Sequence, residues 1–493
     1  VHTDTQTKAL VDKAAAVTAA KNLNVQAKSA HALDEYIVGA SFSGGVAGQG
    51  TVATWNDKSA VSSFLSDTNA VHAKNISITS DNIRMLNAYV VGASAALYGA
   101  INGSVITANV SGSSEAGIGN DEGAYHGEVK ADENLAVSSK ANTTMNATAI
   151  GAAAGIFGGT GTGADLTSDV DVQTKVGKNA KLAAQSMALT AENTPKISAL
   201  ATSAGVGIGG VGATVAEIKS KDTSRVTVSD GASLTAGDTL TVRAAMNQPS
   251  DDYNAYAHAI AGSGGVIAGS VAVVGIGMEN TTETAIGKNV QIQAGSAEIS
   301  SDHKDRGNYE IESVAAGEYS GTGADARYTV HSTSDVTIGD CTTITTARET
   351  AIRADNLSEK AWKDDSEKAN ATSGGAALAS GNGVVSVTKI THTTAADIGK
   401  VTMQASASDL TDEEKAAGKT LHDKKAITID AHSKVKAHDN NTLATGSVVG
   451  AAHVKATLDV NATTSATVAD GASLKAGETE KANAKDKSWA ANK

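Results

Sequence analysis

One glycine-rich stretch of the chain could do nucleotide chemistry. Residues 207–212 read Gly-Ile-Gly-Gly-Val-Gly and match the GxGxxG pattern, whose bare backbone can cradle the phosphates of a dinucleotide. That pattern has meaning only between a strand and a helix, and no helical periodicity follows it here. Because similar glycine tracts recur along the chain, we interpret this one as repeat material and predict no nucleotide site.

Carboxylates could supply acid–base or calcium chemistry. Asp251-Asp252 and Asp364-Asp365 are adjacent acids, and paired carboxylates occur on β-helix enzymes that cleave polysaccharides. Adjacent acids in a polar segment are usually solvated, so we predict no catalytic residues. The segment from Gly158 to Asp165 resembles one imperfect copy of a calcium-binding nonapeptide, which needs tandem copies to form a site.

Histidine and cysteine give no metal pattern. The 12 His are scattered, without the HExxH or CxxC spacings that assemble zinc sites. His432 and His438 lie six residues apart and are predicted to be exposed to solvent. Cys341 is the only cysteine, so an internal disulfide is impossible, and we interpret it as a core or surface thiol. We therefore predict no metal site and no cofactor.

The composition describes the scaffold that must position any such groups. The 493 residues include 50 Gly but only 2 Pro, and 3% are aromatic. The apolar content is mostly Val, Ile, Leu and Ala, which suit a narrow interior of stacked layers. Disorder is the alternative for such a composition, but regular apolar alternation argues against it. The net charge of −13 disfavours a nucleic-acid partner, and no apolar run is long enough for a membrane span.

A short alternating strand, such as Leu240-Thr-Val-Arg-Ala244, recurs along the chain. The eight copies, called anchors below, start at Leu23, Ile76, Leu135, Met187, Leu240, Ala297, Thr350 and Ile427. Successive starts differ by 53, 59, 52, 53, 57, 53 and 77 residues. Glycine tracts and Ile-Gly or Val-Gly turn signals keep the same step, so the repeat unit has about 53 residues.

Alternation with period two and the absence of a helical period predict parallel coils rather than βαβ units. We therefore predict an all-β, parallel β-solenoid of about eight degenerate repeats over residues 23–478. A unit of this length predicts two or three coils, and eight units predict a rod on the order of 80–115 Å long. Residues 1–22 are interpreted as an incomplete repeat or as the N-terminal edge of the fragment, and residues 479–493 as its polar C-terminal edge. Because the pattern is cut at both ends, we expect a piece of a longer protein.

Variation between repeats concentrates between each anchor and the following glycine tract. Insertions at one phase of a solenoid map to loops along one edge, so the charged segments 302–306 and 359–365 are predicted to be loops. The candidate partner-contact residues in them are Asp302, Lys304, Arg306, Trp362 and Lys363. Neutral drift at tolerant corners is the alternative. A further insertion near 409–425 is predicted to form a short helical protrusion.

The repeat Asp230-Gly-Ala-Ser-Leu-Thr-Ala-Gly-Asp238, followed by the anchor at Leu240, resembles large bacterial exoproteins of the filamentous-haemagglutinin and leukotoxin-like adhesin type. The resemblance extends over nearly the whole chain. It implies a right-handed parallel β-helix at the cell surface or outside the cell, exported through an outer-membrane transporter. It also implies attachment to a receptor or glycan on host cells or neighbouring bacteria. No binding residue of that family can be matched to this sequence.

Three functions follow from these observations. The first is a repetitive stalk or adhesive segment of a secreted or surface-displayed adhesin, which is not an enzyme. The second is a segment of a leukotoxin-like cytolytic exoprotein, which would require a membrane-active segment. The third is a β-helix enzyme that degrades polysaccharides, which would require acids from neighbouring coils in one groove. A phage tail-fibre shaft is a further possibility.

Overall fold

The computed structural model describes residues 1–12, 16–66, 68, 70–119, 127–246, 253–360, 370–405 and 426–476. Within these ranges the chain is all-β and contains no helix, which confirms the predicted fold class. The predicted insertion near 409–425 and the edge at 479–493 lie outside the described residues.

Most strands follow one another along the chain with four or fewer residues between them. Their bounds are β1 (His2–Thr3), β2 (Gln6–Asp12), β3 (Val17–Ser43), β4 (Val46–Ser66), β5 (Ala70–Ala96), β6 (Gly99–Ile118), β7 (Glu128–Ala154), β8 (Phe157–Val176), β9 (Lys181–Val206), β10 (Gly209–Ser220), β11 (Thr223–Val228), β12 (Ser233–Met246), β13 (Ala255–Gly264), β14 (Ile267–Ile286), β15 (Gln291–Ala316), β16 (Tyr319–Ile338), β17 (Thr343–Thr346), β18 (Thr350–Lys360), β19 (Ala371–Ile398), β20 (Thr402–Ala405), β21 (Ile427–Ala437), β22 (Asn441–Val468) and β23 (Ser473–Ala476).

The strands form two stacks of parallel strands. β3 pairs with β5 and then β7 in the outgoing sheet, and β4 pairs with β6 and then β8 in the returning sheet. β19 and β22 each cross the corner between the sheets and belong to both. One outgoing stretch and its return make a coil. The coils are β3–β4, β5–β6, β7–β8, β9–β11, β12–β14, β15–β16, β17–β19 and β20–β22, numbered 1 to 8.

The anchors occupy one row of the outgoing sheet. In order of pairing the row is Leu23, Ile76, Leu135, Met187, Leu240, Ala297, Thr350 and Ile427. Paired residues are therefore one repeat apart, and each repeat forms one coil. The prediction of two or three coils per repeat was wrong. Eight coils stack to about 40 Å, not to a rod on the order of 80–115 Å.

The coils are wide because the strands do not stop where hydrophobic residues give way to small polar ones. β3 has 27 residues and β19 has 28. Inward Ser and Thr side chains instead hydrogen bond across the core, as between Ser80 and Ser114 (Oγ–Oγ 2.9 Å) and between Ser139 Oγ and Thr174 Oγ1 (2.8 Å). Because these hydroxyl groups are satisfied, burying them does not end the strand.

The two sheets pack face to face over a narrow core. Inward anchor residues such as Ile78, Val137, Leu189 and Val242 are fully buried. Alternate residues along each strand face solvent, as the period-two pattern predicts. The core is thin because most of its side chains are Ala, Val, Ser and Thr.

One edge of the solenoid consists of tight corners. Two residues separate β9 from β10, and the chain bends there at Gly207 and Ile208. A Cβ at Gly207 would lie 2.1 Å from the Gly155 carbonyl oxygen of the neighbouring coil. The glycine tract therefore coincides with a bend and with a close approach of two backbones. We call this edge the tight corner.

The opposite edge carries the turn signals. β6, β8 and β14 end at Ile118, Val176 and Ile286, directly before the predicted turn glycines. Asn179 (φ 58°) and Gly231 (φ 72°) then adopt the left-handed conformation that a sharp turn needs. This edge is called the open corner.

Candidate partner-contact surface

Asp302, Lys304 and Arg306 lie on the outer face of strand β15. The prediction that they form a loop was wrong. His303 and Asp305 alternate with them and are buried, so the strand continues through the charged segment. A buried imidazole and carboxylate that satisfy each other permit this continuation.

Insertions do interrupt the outgoing sheet nearby. Met246 pairs with His303 and Ala255 pairs with Gly307 of the next coil. Nine residue steps from Met246 to Ala255 therefore match only four from His303 to Gly307. In coil 7, eleven residue steps from Lys360 to Ala371 match four from Gly307 to Ile311. The remaining two candidates, Trp362 and Lys363, lie outside the described residues. Whether any of the five candidates contacts a partner stays a prediction.

The charged outer residues link one coil to the next. Arg243 of coil 5 contacts the carboxylate of Asp302. Arg306 Nε lies 2.7 Å from Glu359 Oε2, and Lys436 Nζ lies 3.3 Å from Glu359 Oε1. Partial burial raises the pKa of Glu359, but the charges of Arg306 and Lys436 outweigh it and hold that pKa below its ordinary value. Asp302 and Arg306 therefore stabilise the stacking of neighbouring coils.

A groove lies on the same outer face, across coils 5 to 8. It encloses about 460 Å³ and is lined by hydroxyl groups, including those of Thr241 and Thr428, and by the charged groups of Glu298, Glu349 and Arg353. These side chains present both hydrogen-bond donors and acceptors to solvent. Such a lining suits a ligand rich in hydroxyl groups.

Inside the same coils, Thr282, His303 and Asp305 form a buried network. Thr282 Oγ1 lies 2.9 Å from His303 Nδ1, and His303 Nε2 lies 2.8 Å from Asp305 Oδ2. Asn280 and Asn254 donate hydrogen bonds to Asp305 Oδ1 at 2.9 and 3.2 Å. Burial raises the pKa of Asp305, but the His303 ring and these hydrogen bonds lower it overall.

The order of hydroxyl, imidazole and carboxylate is that of a hydrolytic triad. However, Thr282 and Asp305 have no exposed surface, and only 1% of His303 is exposed, so a substrate has no access to the hydroxyl. The three groups satisfy one another in the core. The sequence carried a signal for this network that we did not use: His303 and Asp305 have the same parity as the inward anchor residue Ile299.

Other sequence motifs occupy ordinary positions. The segment from Gly158 to Asp165 is part of strand β8. Cys341 is exposed at the open corner with φ 60°, and His432 and His438 are exposed as predicted. Within the described ranges, no three His, Cys, Asp or Glu side chains lie close enough together to hold a metal ion.

Comparison of the chain with protein-family models, with curated protein sequences and with solved structures gives no match. In the part of the chain that the structure describes, no helix is long and apolar enough to span a membrane. The fold and the surface described above are therefore the basis for a functional proposal.

Proposed function

We propose that this chain is a repetitive stalk or adhesive segment of a secreted or surface-displayed bacterial adhesin. In this proposal it is a right-handed parallel β-helix of about eight degenerate repeats, and it is not an enzyme. Its partner is a receptor or glycan on a host cell or a neighbouring bacterium. Export requires an outer-membrane transporter.

The observation that carries the proposal is the unbroken row of eight anchors in the outgoing sheet. Every coil is hydrogen bonded to its neighbours along long strands, and ion pairs such as Arg306–Glu359 link the coils outside. A scaffold of this kind extends by adding coils, which suits a protein that holds a contact surface away from a cell.

The groove across coils 5 to 8 is the contact site in this proposal. Hydroxyl groups, Glu298 and Arg353 can form several hydrogen bonds to a sugar or a polar loop. Each contact is weak, and repetition of the chain on a cell surface would add the contacts together.

The test uses the fluorescently labelled chain on dye-loaded host cells. We expect saturable binding without dye leakage, and a loss of about tenfold or more in affinity for the double variant Glu298→Ala/Arg353→Ala. Lys28→Ala is the control, because Lys28 lies on the same sheet in coil 1 and pairs with Asp81 at 3.3 Å. Leakage would favour the cytolytic alternative, and absence of binding would leave a passive spacer.

A further inference from the structure

The outer face of the returning sheet is apolar beside the tight corner. We call it the corner face: the first three outward residues after the corner in β4, β6, β8, β10, β14, β16, β19 and β22. None of these residues is Asp, Glu, Lys or Arg. Large side chains on it are open to solvent, with Ile101, Phe157 and Ile267 each 64–66% exposed.

Several glycines on this face are not required by the space or the backbone conformation around them. A Cβ added at Gly48, Gly159 or Gly269 would meet no atom within 4 Å. None of the three has a positive φ. Glycine weakens a strand, and neither space nor conformation requires it at these positions. The requirement for glycine must therefore come from something that packs against the face.

In coils 1 to 5, large and small residues alternate from coil to coil in the row nearest the corner. Val46, Phe157 and Ile267 project in coils 1, 3 and 5. Gly99 lies between the first two, and Gly209 lies between the last two. Over these five coils the row is thus a line of projections separated by gaps one coil wide, whereas in coil 6 Tyr319 lies directly beside Ile267.

The next outward row has the opposite order. Ile101 and Val211 project in coils 2 and 4, where the first row has glycine. Gly48, Gly159 and Gly269 occupy coils 1, 3 and 5. Together the two rows form a checkerboard of projections and gaps over coils 1 to 5. A projection on one such face can enter a gap on another.

We propose that the corner face is a self-association surface, on which a second copy of this chain packs face to face. Eight strands and three outward rows give an area of about 750 Å², close to the roughly 800 Å² that each partner contributes to a standard interface. Because the face contains no Asp, Glu, Lys or Arg, two identical faces meet without repulsion between such side chains. This inference does not depend on the proposed attachment function.

A lipid surface fits the face less well. Burial in lipid would gain from large apolar side chains at every position, whereas half of the checkerboard is glycine. A second β-sheet gains from glycine, because it allows close approach and interlocking of side chains.

The last three coils supply a matching depression. Tyr319, Ala379, Gly381 and Val449 line a shallow groove of about 460 Å³ on the same face. A two-fold axis parallel to the strands can place Phe157 of coil 3 in this groove of the other copy. Such an isologous contact closes at a dimer.

The experiment is sedimentation of the full chain over a concentration series. We expect a reversible dimer at micromolar concentration. Gly159→Lys/Gly269→Lys places two charges on the face in open space, so the midpoint of thermal unfolding is unchanged in dilute solution and the dimer Kd rises by about 100-fold or more. Phe157→Ala is expected to raise Kd by about tenfold.

The matched control is Ser77→Lys/Ala188→Lys, which places two lysines on the outer face of the outgoing sheet, also two coils apart. It is expected to dimerise as the wild type does. The proposal fails if the wild type is monomeric throughout, or if the face variant dimerises as tightly as the control. It also fails if the monomer instead floats with zwitterionic vesicles.

Discussion

Arg348 is hydrogen bonded to Asp238 across an intervening coil. Arg348 Nη2 lies 2.6 Å from Asp238 Oδ1 and 3.2 Å from its carbonyl oxygen, although 110 residues separate the two in sequence. Ser296, of the coil between, is within 3.3 Å of the same nitrogen. The contact covers an irregularity where the pairing of β12 shifts register between Ala236 and Thr239. The register shift occurs in successive coils. The side chain of Arg348 holds it in place from the outer face of the sheet.

Gly295 is required by this register shift. A Cβ at Gly295 would lie 2.3 Å from the Asp238 carbonyl oxygen, and a backbone atom cannot easily move away. We expect Gly295→Ala to lower the free energy of unfolding by about 1–3 kcal/mol. Gly264→Ala is the control, because a Cβ there meets nothing within 4 Å, and its effect should stay within about 1 kcal/mol. Urea unfolding measures the free energy of unfolding of both variants. Equal losses of stability in the two variants would contradict the steric argument.

Inward and outward acids on strand β15 should differ strongly. Asp305 accepts hydrogen bonds from Asn254 and Asn280 and contacts His303, all in the core. Asp305→Ala leaves these groups unpaired, so we expect a loss of about 3–5 kcal/mol. Asp302→Ala removes only an outer ion pair with Arg243, for which about 0–1 kcal/mol is expected. Chemical denaturation compares the two variants. Similar losses would mean that the segment is a loop after all.

His392 should make the fold sensitive to acid. Its ring nitrogens lie 2.6 Å from Ser358 Oγ and 2.8 Å from Ser433 Oγ. Burial, assisted by His303, lowers the pKa of His392 from 6.5 to about 4 despite the opposing charge of Asp305. Between these values the unfolded chain binds a proton that the folded chain does not. The free energy of unfolding therefore falls as pH falls from 6.5, by about 2–3 kcal/mol near pH 4.5.

Unfolding of His392→Asn at pH 7 and pH 4.5 tests this expectation. The amide can still hydrogen bond to the two hydroxyl groups but does not titrate, so the acid loss should shrink by about 2 kcal/mol. His432→Asn is the control, since His432 is exposed and should leave the acid loss unchanged. A wild-type slope in His392→Asn would assign the acid sensitivity to other groups.

Asp335 should act in the opposite direction. Burial, with the nearby charges of Glu283 and Asp397, raises the pKa of Asp335 to about 6. The folded chain then holds a proton that the unfolded chain releases, so stability falls as pH rises from about 4 to 6. Asp335→Asn should raise the free energy of unfolding at pH 7 by up to about 1 kcal/mol, a value reduced for solvent screening. The gain should vanish near pH 4 in the same denaturation assay, and a gain that persists there would have another cause.

The sequence predicted the parts of this structure that repeat. Leu240 and Val242 alternate with Thr241 and Arg243, so the inward face of each anchor was clear, and the recurrence of the anchors showed that the chain repeats. Coil width was not predictable in the same way. Inward positions just beyond the anchors are often small or polar, such as Ser80, Asn82 and Thr143, and they carry little hydrophobic signal although the strand continues through them.

The candidate contact segment was misplaced for a related reason. Charged residues in a run usually indicate a loop, and the run around Asp302 contains five polar residues. Only the three-dimensional pairing of His303 with Thr282 and Asp305 makes burial of alternate members possible. The parity that His303 and Asp305 share with Ile299 would have suggested that they are buried. Their hydrogen-bond partner Thr282, however, comes from the returning strand.

One coil per repeat also determines how the protein responds to force. Each coil adds about 4.8 Å of height but contains about 53 residues, which reach roughly 180 Å when fully extended. Peeling one coil from the stack would therefore lengthen the chain by more than thirty times the height that is lost. A tether built from such coils can yield in large steps under flow while the coils that remain stay folded.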